Sequence, residues 1–341
     1  MVSVLRCVVL KSAREMVLED RPLPVGPTKG WALIKVKAVG ICGSDIHAYR
    51  GTQPFQTYPR IPGHEMSGVL ARPTSQLREG QLVTVEPLLR CGECYPCRQG
   101  RYNCCVDLKV MGVHADGAMC EYVRVPEQLV FPVSEKIPPD QAALCEPVGV
   151  ACQAIRRARV TSGDTVLVIG AGPIGLLVMQ VARARGAKVF ASDIDPDRLR
   201  LAKRLGAGVA IDPGEEDLSD AVKGLTDGDG PSVVIEAVGS ETTIDQAVQV
   251  VSAAGRVVLV GLFGETMPFK PIALIRKELD LLGSRNSSGM FPEAIRLIAA
   301  GQVGVADLIT HRFSLEESPE MFRGIDEGRI RPVKAVLMVG V

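Results

Sequence analysis

Strand-like and helix-like segments alternate between about residue 160 and residue 285, and this alternation restricts the possible folds more than any other feature. Short runs rich in β-branched residues, such as "DTVLVIG" (164–170) and "PSVVIEAVG" (231–239), precede longer segments with helical spacing of apolar residues. One of these, "DPDRLRLAKRLGA", has Asp195 at the N-cap position and Pro196 in its first turn. The pattern predicts the α/β class, with a parallel, doubly wound Rossmann sheet.

The first strand-to-helix junction of this region carries a glycine-rich motif. Residues 170–175, "GAGPIG", fit GxGxxG. In this motif Gly170 allows a tight turn, Gly172 lets a pyrophosphate approach the backbone, and Gly175 lets the helix pack closely on the strand. The free N–H groups at the helix N-terminus favour an anion. A dinucleotide is therefore the predicted ligand.

Asp193 ends the following strand, at about the separation expected of the acid that binds the adenosine ribose. A carboxylate there accepts from the ribose hydroxyls and repels a 2′-phosphate, so NAD is predicted rather than NADP. A helix-capping role for Asp193 is the alternative. Arg198 is expected to contact a ribose hydroxyl or solvent. The predicted cofactor-binding residues are Gly170, Gly172, Pro173, Ile174, Gly175, Asp193, Arg198, Val238, Val260, Gly261 and Leu262.

The first 150 residues show a different pattern, of short strand-like runs separated by Gly, Pro and polar turns. Examples are "WALIKVKAVGI", "QLVTVEP" and "AMCEYVRVP". After residue 285 one helical segment and some strand-like pieces remain, which is too little for a separate domain. The sequence predicts a β-rich domain over 1–148 with a cysteine lobe at about 88–106, a nucleotide-binding domain over 149–285, and a return to the first domain over 286–341.

Charge and hydropathy argue against several function classes. Lys plus Arg and Asp plus Glu both number 39, so no global charge attracts nucleic acid or an anionic membrane. The N-terminus lacks the pattern of a secretory signal, and the longest apolar run contains the Gly and Pro of a strand-to-helix turn. We therefore expect a cytoplasmic protein whose thiols are reduced.

Five of the ten cysteines lie in "RCGECYPCRQGRYNCC" (90–105). Thiols at two-residue gaps in a reducing compartment favour metal binding over disulfides. Cys91, Cys94 and Cys97 can converge on one ion, and Cys104 or Cys105 would complete a closed, structural zinc site with four sulfur ligands. An iron–sulfur cluster and unliganded cysteines are the alternatives.

Three further stretches contain residue types that bind metals. "GICGSDIHAYRG" (40–51) contains Cys42, "IPGHEMSG" (61–68) contains His64 and Glu65, and "LCEPVGVA" (144–151) contains Glu146. Cys, His and carboxylate ligands with one open position are typical of a catalytic zinc. Spacing alone leaves open the alternative that His64 is a core histidine.

With these motifs the sequence resembles the zinc-dependent medium-chain alcohol dehydrogenases over essentially its entire length, and within them the polyol and sugar-acid branch that includes sorbitol and threonine dehydrogenases. The motifs that carry the resemblance are "GICGSDIH", "PGHEMSGV", "CGECYPCRQGRYNCC", "EPVGVA" and "VLVIGAGPIG". The resemblance implies a GroES-like catalytic domain beside the Rossmann domain, NAD as cofactor, and two zinc ions per subunit. It assigns the structural zinc to Cys91, Cys94, Cys97 and Cys105, with Cys104 outside, and the catalytic zinc to Cys42, His64 and either Glu65 or Glu146.

The resemblance also implies a mechanism. The catalytic zinc would hold the substrate hydroxyl and lower its pKa, and hydride would pass from the alkoxide carbon to the nicotinamide. Ser44 would accept the proton, and His47 would carry it to solvent. Asp45 would orient the zinc ligands. An ordinary turn role is the alternative for Ser44 and for Asp45.

Four stretches, "GTQPFQTYPRIPGHE", "MGVHADG", "GLF" and "GSRN", resemble bacterial L-galactonate and L-gulonate 5-dehydrogenases. This resemblance implies oxidation of a secondary hydroxyl of a hexonate to a keto acid. Arg60 or Arg285 would bind the carboxylate, and the hydroxyls would be bound by Asn286, Gln53 and Tyr58. The alternatives are structural roles for both arginines, a neutral polyol or L-threonine as substrate, and a non-catalytic protein on the same fold.

The branch implies a homotetramer, with a homodimer as the alternative. The segments "GRVVLVGLF" and "KELDLLGS" are predicted to form a bare strand edge in the nucleotide-binding domain. Two subunits could pair there into one continuous sheet.

Overall fold

The computed structural model describes residues 4–24, 29–261 and 271–340. The predicted cofactor residue Leu262 lies outside these ranges. The chain divides into two compact units. Residues 1–146 and 305–341 form the first, called the β-rich unit below, and residues 147–304 form the second, called the α/β unit.

The helices and strands follow one another in three segments of the chain. The N-terminal segment contains β1 (Val4–Ser12), β2 (Glu15–Pro22), β3 (Trp31–Gly40), α1 (Gly43–Arg50), β4 (Glu65–Leu70), β5 (Leu82–Val85), β6 (Leu88–Leu89), α2 (Tyr95–Arg98), β7 (Lys109–Val110), β8 (Tyr122–Pro126), β9 (Val130–Pro132) and α3 (Pro139–Ala143). The middle segment contains α4 (Cys145–Ala158), β10 (Thr165–Ile169), α5 (Pro173–Ala184), β11 (Lys188–Ser192), α6 (Pro196–Arg204), β12 (Val209–Ile211), α7 (Leu218–Gly224), β13 (Val233–Glu236), α8 (Glu241–Val250), β14 (Arg256–Leu259), α9 (Pro271–Lys277), β15 (Asp280–Gly283) and α10 (Phe291–Ala299). The C-terminal segment contains β16 (Ile309–Phe313), α11 (Ser318–Asp326) and β17 (Lys334–Met338). Within the described ranges, none of the helices is long and apolar enough to cross a bilayer.

The β-rich unit is organised around a mixed sheet with the strand order β16-β17-β3-β4-β5-β9, and β8 pairs with β3 beside this path. Neighbouring strands of this sheet are antiparallel, except that β16 and β17 are parallel. β1 and β2 form a separate hairpin, and β6 pairs with β7. The sheet and hairpin share one apolar core.

The pairing of β3 with β4 determines where the predicted metal ligands lie. β3 alternates buried and more exposed residues over its first half, as expected for a strand with one face in a core. β4 approaches it so closely that a Cβ at Gly68 would collide with the carbonyl oxygen of Lys35. In the resulting register Gly40 lies opposite Glu65. The end of β3 and the start of β4 are therefore neighbours.

The α/β unit contains a six-stranded parallel sheet with the order β12-β11-β10-β13-β14-β15. The direction in which the sheet grows reverses between β10 and β13, as in doubly wound folds. Asp195 accepts hydrogen bonds from the backbone amides of Asp197 and Arg198 at the start of α6, which confirms the predicted N-cap. The predicted fold class, a Rossmann sheet plus a β-rich domain, is confirmed.

The structure moves one predicted domain boundary. The first division falls after residue 146, two residues before the predicted one, but the chain returns to the β-rich unit at 305 rather than at 286. α10 buries an apolar face within the α/β unit, and Glu293 on it forms an ion pair with Arg185. The Gln180 side chain donates to the Gly304 carbonyl at 3.1 Å and accepts from its amide at 2.8 Å. These contacts attach residues 286–304 to the α/β unit.

Candidate active site

Cys42, His64 and Glu65 form one compact group of metal-ligand residue types in the β-rich unit. One potential ligand atom from each lies within 4.8 Å of the others. Cys42 directly precedes α1 and follows β3, while His64 and Glu65 stand where β4 begins. Gly40 is required beside them, since a Cβ there would collide with Glu65 Oε2. Two adjacent strand ends thus bring the three side chains together.

Asp45 supports this group from α1. Its carboxylate Oδ2 accepts from the Cys42 amide at 2.9 Å, and its Oδ1 lies 3.6 Å from His64 Nδ1. Burial raises the pKa of Asp45. Burial alone would lower the pKa of His64, but the charges of Asp45, Cys42 and Glu146 raise it well above its ordinary value. With Nδ1 facing a carboxylate, Nε2 of His64 is the nitrogen left for a metal.

Lys334, at the start of β17, is a member of this cluster that the sequence analysis missed. Its Nζ donates to Glu65 Oε1 at 2.7 Å, to Glu65 Oε2 at 2.9 Å and to the Ile41 carbonyl at 3.0 Å. Lys334 and Glu65 are both almost fully buried. A lysine beginning an otherwise apolar strand was the one signal in the sequence, because lysine is almost never fully buried unless it is paired.

Glu146 lies in the first turn of α4 and is also buried. Burial raises its pKa to about 7, and the charge of His64 opposes that shift. Glu146 is not in the compact group with Cys42, His64 and Glu65, so the geometry favours Glu65 as the nearer carboxylate.

The charges of this cluster fit a divalent cation. Four acids (Cys42, Asp45, Glu65 and Glu146) surround His64, and Lys334 supplies one positive charge. Burying so many acidic groups is unfavourable without a compensating cation. Sulfur, imidazole nitrogen and carboxylate oxygen are the donor types of catalytic zinc. The residues present therefore fit the ion that the motifs predict.

Two predicted proton-transfer residues lie on α1. Ser44 is half-buried and His47 is exposed. They are three residues apart, which places their side chains on the same face of the helix. Nδ1 of His47 lies 3.0 Å from the Thr52 hydroxyl, and Thr52 donates its amide to the His47 carbonyl at 2.9 Å. Thr52 was not singled out in the sequence.

The cysteine lobe forms the second compact group of metal-ligand residue types within the described residues. The sulfurs of Cys91, Cys94, Cys97 and Cys105 all lie within 4.8 Å of one another, and Cys104 is outside the group. Cys105 Sγ is 3.5 Å from Cys91 Sγ, which is 4.0 Å from Cys97 Sγ. Ligand sulfurs around a single zinc are about 3.8 Å apart for bonds of about 2.3 Å. Iron–sulfur clusters hold their sulfur ligands further apart, so the geometry favours one ion.

The lobe favours the thiolate form, which metals bind, at Cys94 but not at Cys97, where burial and the Cys94 side chain raise the pKa to about 12. Backbone N–H groups of Val106 and Cys97 lower the pKa of Cys94 to about 6. Beneath the sulfurs, Cys105 packs with Leu88 and Leu108 in a small apolar cluster. The lobe is thus a separate structural module of the β-rich unit.

The glycine-rich turn of the α/β unit has the features predicted for a pyrophosphate site. Gly170 has a φ of 95°, which disfavours other residues. Gly172 is the N-cap of α5 and has open space around it. A Cβ at Gly175 would collide with the Gly170 carbonyl oxygen, so only glycine lets α5 pack this closely. Pro173 and Ile174 form the first turn of α5.

Asp193 lies beside this turn at the end of β11. Its Oδ2 accepts from the Ala171 amide at 2.7 Å and its Oδ1 from the Asp195 amide at 2.9 Å. Nη1 of Arg198 is 3.7 Å from Asp193 Oδ2. Asp195, rather than Asp193, caps α6. Asp193 therefore organises the loop on which the dinucleotide is predicted to lie.

A buried acid that the sequence analysis missed, Glu236, organises the other side of the predicted nucleotide site. Its Oε1 accepts from the amides of Val238 and Gly239, each at 2.8 Å. Its backbone carbonyl accepts from Val260 at 2.8 Å and from Gly261 at 3.1 Å. An acid ending the apolar run "VVIE" was the only sequence signal for it.

Three of the predicted substrate residues lie in the β-rich unit, between α1 and His64. Arg60 donates to Asp116 at 3.2 Å and to the Thr57 hydroxyl at 2.6 Å. Tyr58 donates its hydroxyl to the Ala48 carbonyl at 2.6 Å, and burial raises its pKa. The backbone N–H of Gln53 donates to the His47 carbonyl at 3.2 Å.

The other two predicted substrate residues lie in the α/β unit. Arg285 is exposed, and Asn286 has a φ of 45°. Both follow β15 after the single residue Ser284, and the buried Ser287 and Ser288 come next.

Comparison with known proteins places this architecture in a family. The chain matches the family described as "Alcohol dehydrogenase GroES-like domain" over residues 28–135 and the family described as "Zinc-binding dehydrogenase" over residues 173–300. It is 38% identical to the L-galactonate-5-dehydrogenase of Escherichia coli strain K12 over 325 residues, which cover 94% of this chain and 95% of that protein.

Solved structures agree with these matches over nearly the whole chain. The alcohol dehydrogenase rspB of E. coli CFT073, complexed with NADH, is 33% identical with a TM-score of 0.91, over 98% of this chain and 99% of that one. A zinc-binding dehydrogenase of Sinorhizobium meliloti 1021, bound to NADP, is 33% identical with a TM-score of 0.92 and the same coverage. The chain belongs to the zinc-type medium-chain alcohol dehydrogenase family and is an oxidoreductase.

Proposed function

We propose that this oxidoreductase uses NAD⁺ to oxidise a secondary hydroxyl of a hexonate such as L-galactonate or L-gulonate to a keto acid. The observation that carries the proposal is the compact group of Cys42, His64 and Glu65 within a cluster that has an excess of acids. That group supports a catalytic zinc site, and the named relative supports the sugar-acid substrate.

Cys42, His64 and Glu65 would hold the catalytic zinc, with Glu146 as the alternative or exchanging carboxylate. Zinc, when bound, supplies a Lewis acid that lowers the pKa of an alcohol. Asp45 would fix the His64 ring through Nδ1. Lys334 would hold the Glu65 carboxylate in place by its two hydrogen bonds.

Ser44 would accept the proton of the substrate hydroxyl, and His47 would release it to solvent. Their spacing on one face of α1 and the exposure of His47 support this path. The Thr52 hydroxyl, 3.0 Å from His47 Nδ1, would hold the imidazole ring in one orientation.

The α/β unit would bind the dinucleotide at the turn of residues 170–175, and the nicotinamide supplies the hydride acceptor. The amides at the start of α5 would bind the pyrophosphate. Asp193 would accept hydrogen bonds from the hydroxyls of the adenosine ribose, with Arg198 beside it. Val238, Val260 and Gly261 would border the cofactor on loops held by Glu236.

For the substrate carboxylate, Arg60 and Arg285 remain the proposed partners, with Gln53, Tyr58 and Asn286 for hydroxyls. The contacts of Arg60 with Asp116 and Thr57 hold its guanidinium in one orientation, and a fixed planar guanidinium favours bidentate binding of a carboxylate.

The experiment that tests the function is NAD⁺ reduction by zinc-loaded protein with L-gulonate, L-galactonate, D-sorbitol, galactitol and L-threonine. We expect kcat/KM for a hexonate to exceed that for each polyol and for threonine. The variants Arg60→Gln and Arg285→Gln should then raise KM for the hexonate and leave galactitol turnover unchanged. A higher kcat/KM for a polyol or for threonine would contradict the sugar-acid proposal and leave the zinc and NAD proposals standing.

Two zinc ions per chain are proposed, the second one bound by Cys91, Cys94, Cys97 and Cys105. Metal analysis of the purified protein should return two zinc atoms per chain, and Cys94→Ser should return one. A single ion in the unaltered protein, or iron in place of zinc, would contradict this stoichiometry.

We also propose a cytoplasmic homotetramer, with a homodimer as the alternative. β15 is an edge strand of the six-stranded sheet, and such an edge can pair with a second copy. Light scattering coupled to gel filtration should return four subunits, and a monomer would refute the proposal. Fractionation of cells that produce the protein would test its location.

A further inference from the structure

Cys7 and Cys120 are two cysteines that neither zinc site uses, and they face each other in the β-rich unit. Their backbones pair as an isolated antiparallel β-bridge between β1 and the segment before β8. Both are free thiols and both are almost fully buried. The proposed chemistry of the protein gives neither of them a role.

The backbone hydrogen bonds identify the type of this bridge. The Val8 amide donates to the Met119 carbonyl at 2.9 Å, and the Glu121 amide donates to the Arg6 carbonyl at 3.1 Å. These bonds flank the two cysteines, which exchange no backbone bond with each other. Cys7 and Cys120 are therefore a non-hydrogen-bonded antiparallel pair, in which the Cα atoms are about 4.5 Å apart and the side chains are closest. A disulfide needs Cα atoms about 4.4–6.8 Å apart, so the backbone already meets this requirement.

The side chains also meet across the bridge. A hydrogen bond from Cys7, together with burial, raises the pKa of Cys120 well above its ordinary value. Cys120 Sγ also contacts the Tyr122 carbonyl at 3.2 Å. With its raised pKa, Cys120 is mostly protonated at neutral pH, so it reacts slowly and is not expected to be a catalytic nucleophile.

We propose that Cys7 and Cys120 are a reversible disulfide site, formed by a small peroxide, that cross-links β1 to the segment 117–121. One sulfur attacks hydrogen peroxide to give a sulfenic acid and water, and the other sulfur then displaces a second water. In total, two thiols and one peroxide give one disulfide and two waters, the sulfurs being oxidised and the peroxide reduced. Thiol reductants reverse the bond by exchange.

The location of the cross-link gives it a consequence. Next to Cys120, the amides of Ala118 and Met119 donate to the carbonyls of Gly63 at 2.9 Å and Pro62 at 3.0 Å. The disulfide would thus fix the segment that holds the peptide preceding His64. It would also close a loop of about 110 residues, and a loop of this length loses much of its unfolded-state entropy when cross-linked. Oxidation should therefore stabilise the β-rich unit.

The test treats native, zinc-loaded protein with hydrogen peroxide, blocks the remaining thiols with N-ethylmaleimide and maps the disulfides by mass spectrometry after trypsin. The expected product joins the peptide "CVVLK" (7–11) to "VMGVHADGAMCEYVR" (110–124). Zinc content is measured in the same samples, so that oxidation of the zinc-binding thiolates is detected separately. The unfolding midpoint should rise by about 5 °C and return to its starting value with dithiothreitol.

Two alanine variants complete the test. Cys7→Ala should lose both the linked peptide and the rise in midpoint, whereas Cys152→Ala, which removes a buried thiol of α4, should keep both. If Cys7→Ala does not fold, Cys120→Ala replaces it. Absence of the linked peptide from native protein, its appearance only after denaturant, or a midpoint that does not change on oxidation would overturn the proposal.

Discussion

At the scale of single residues, Lys334 controls the charge balance of the cluster around His64. Its three hydrogen bonds leave no donor of its ammonium group free, and two of them go to one carboxylate. The buried Glu65 carboxylate thereby has a cationic partner beside Cys42 and His64. A buried pair of this kind adds little net stability over an apolar pair, but removal of one member leaves the other charge uncompensated.

The first prediction is that Lys334→Met destabilises the protein and weakens zinc binding. We expect the free energy of unfolding to fall by about 3 kcal/mol, the cost of leaving a buried carboxylate unpaired. Under a chelator that leaves the unaltered protein with both ions, the variant should lose the ion at Cys42 and His64 and keep the one in the cysteine lobe. Lys334→Arg should restore most of the zinc retention. Equal stability and zinc content in Lys334→Met and the unaltered protein would contradict the role given to Lys334.

The second prediction concerns the choice between NAD and NADP at Asp193. Asp193→Asn keeps the shape of the side chain but removes the charge that is proposed to face the adenosine ribose. We expect KM for NAD⁺ to rise about tenfold, which corresponds to about 1.4 kcal/mol, and NADP⁺ turnover to improve. Asp197→Asn, at an exposed acid of the neighbouring helix α6, is the control and should leave both values unchanged. If NADP⁺ turnover does not improve in Asp193→Asn, Asp193 only organises the loop.

At the scale of elements, the loop between β7 and β8 supports the peptide that precedes His64. Gly117 donates to the Ile61 carbonyl at 2.7 Å, and the next two residues donate to Gly63 and Pro62. A Cβ at Gly117 would collide with the carbonyl oxygens of Pro62 and Gly63. The position of His64 thus depends on a loop more than fifty residues further along the chain.

The third prediction follows from this contact. Gly117→Ala should push residues 61–63 away and displace His64, because the collision is with backbone atoms that cannot rotate aside. Metal analysis should then return one zinc per chain, with the cysteine lobe still loaded. Gly224→Ala is the matched control, since position 224 has open space and an ordinary φ. Two retained zinc ions in Gly117→Ala would show that the loop does not position the histidine.

At the scale of the whole molecule, the features that could be predicted from the sequence are those confined to a short stretch of chain. The glycine-rich turn is such a feature, because its chemistry is fixed by neighbouring residues. Lys334 and Glu65 are 269 residues apart, and they meet only because β17 and β4 both pair with β3. The residue at which the chain returns to the β-rich unit, 305, was not predicted for a related reason. The apolar face of α10 does not specify which of the two units it packs against.

The last prediction uses the separation of the two kinds of site. Both groups of metal-ligand residues belong to the β-rich unit, whereas the glycine-rich turn, Asp193 and Glu236 belong to the α/β unit. Removal of both ions by a chelator should therefore abolish dehydrogenase activity. The NADH affinity, measured by calorimetry, should stay within about twofold of that of the zinc-loaded protein. The converse variant, Gly175→Val, should lose NADH binding and keep both zinc ions, because a larger side chain cannot fit against the Gly170 carbonyl. A tenfold loss of NADH affinity on chelation alone would show that the metal sites and the nucleotide site depend on each other.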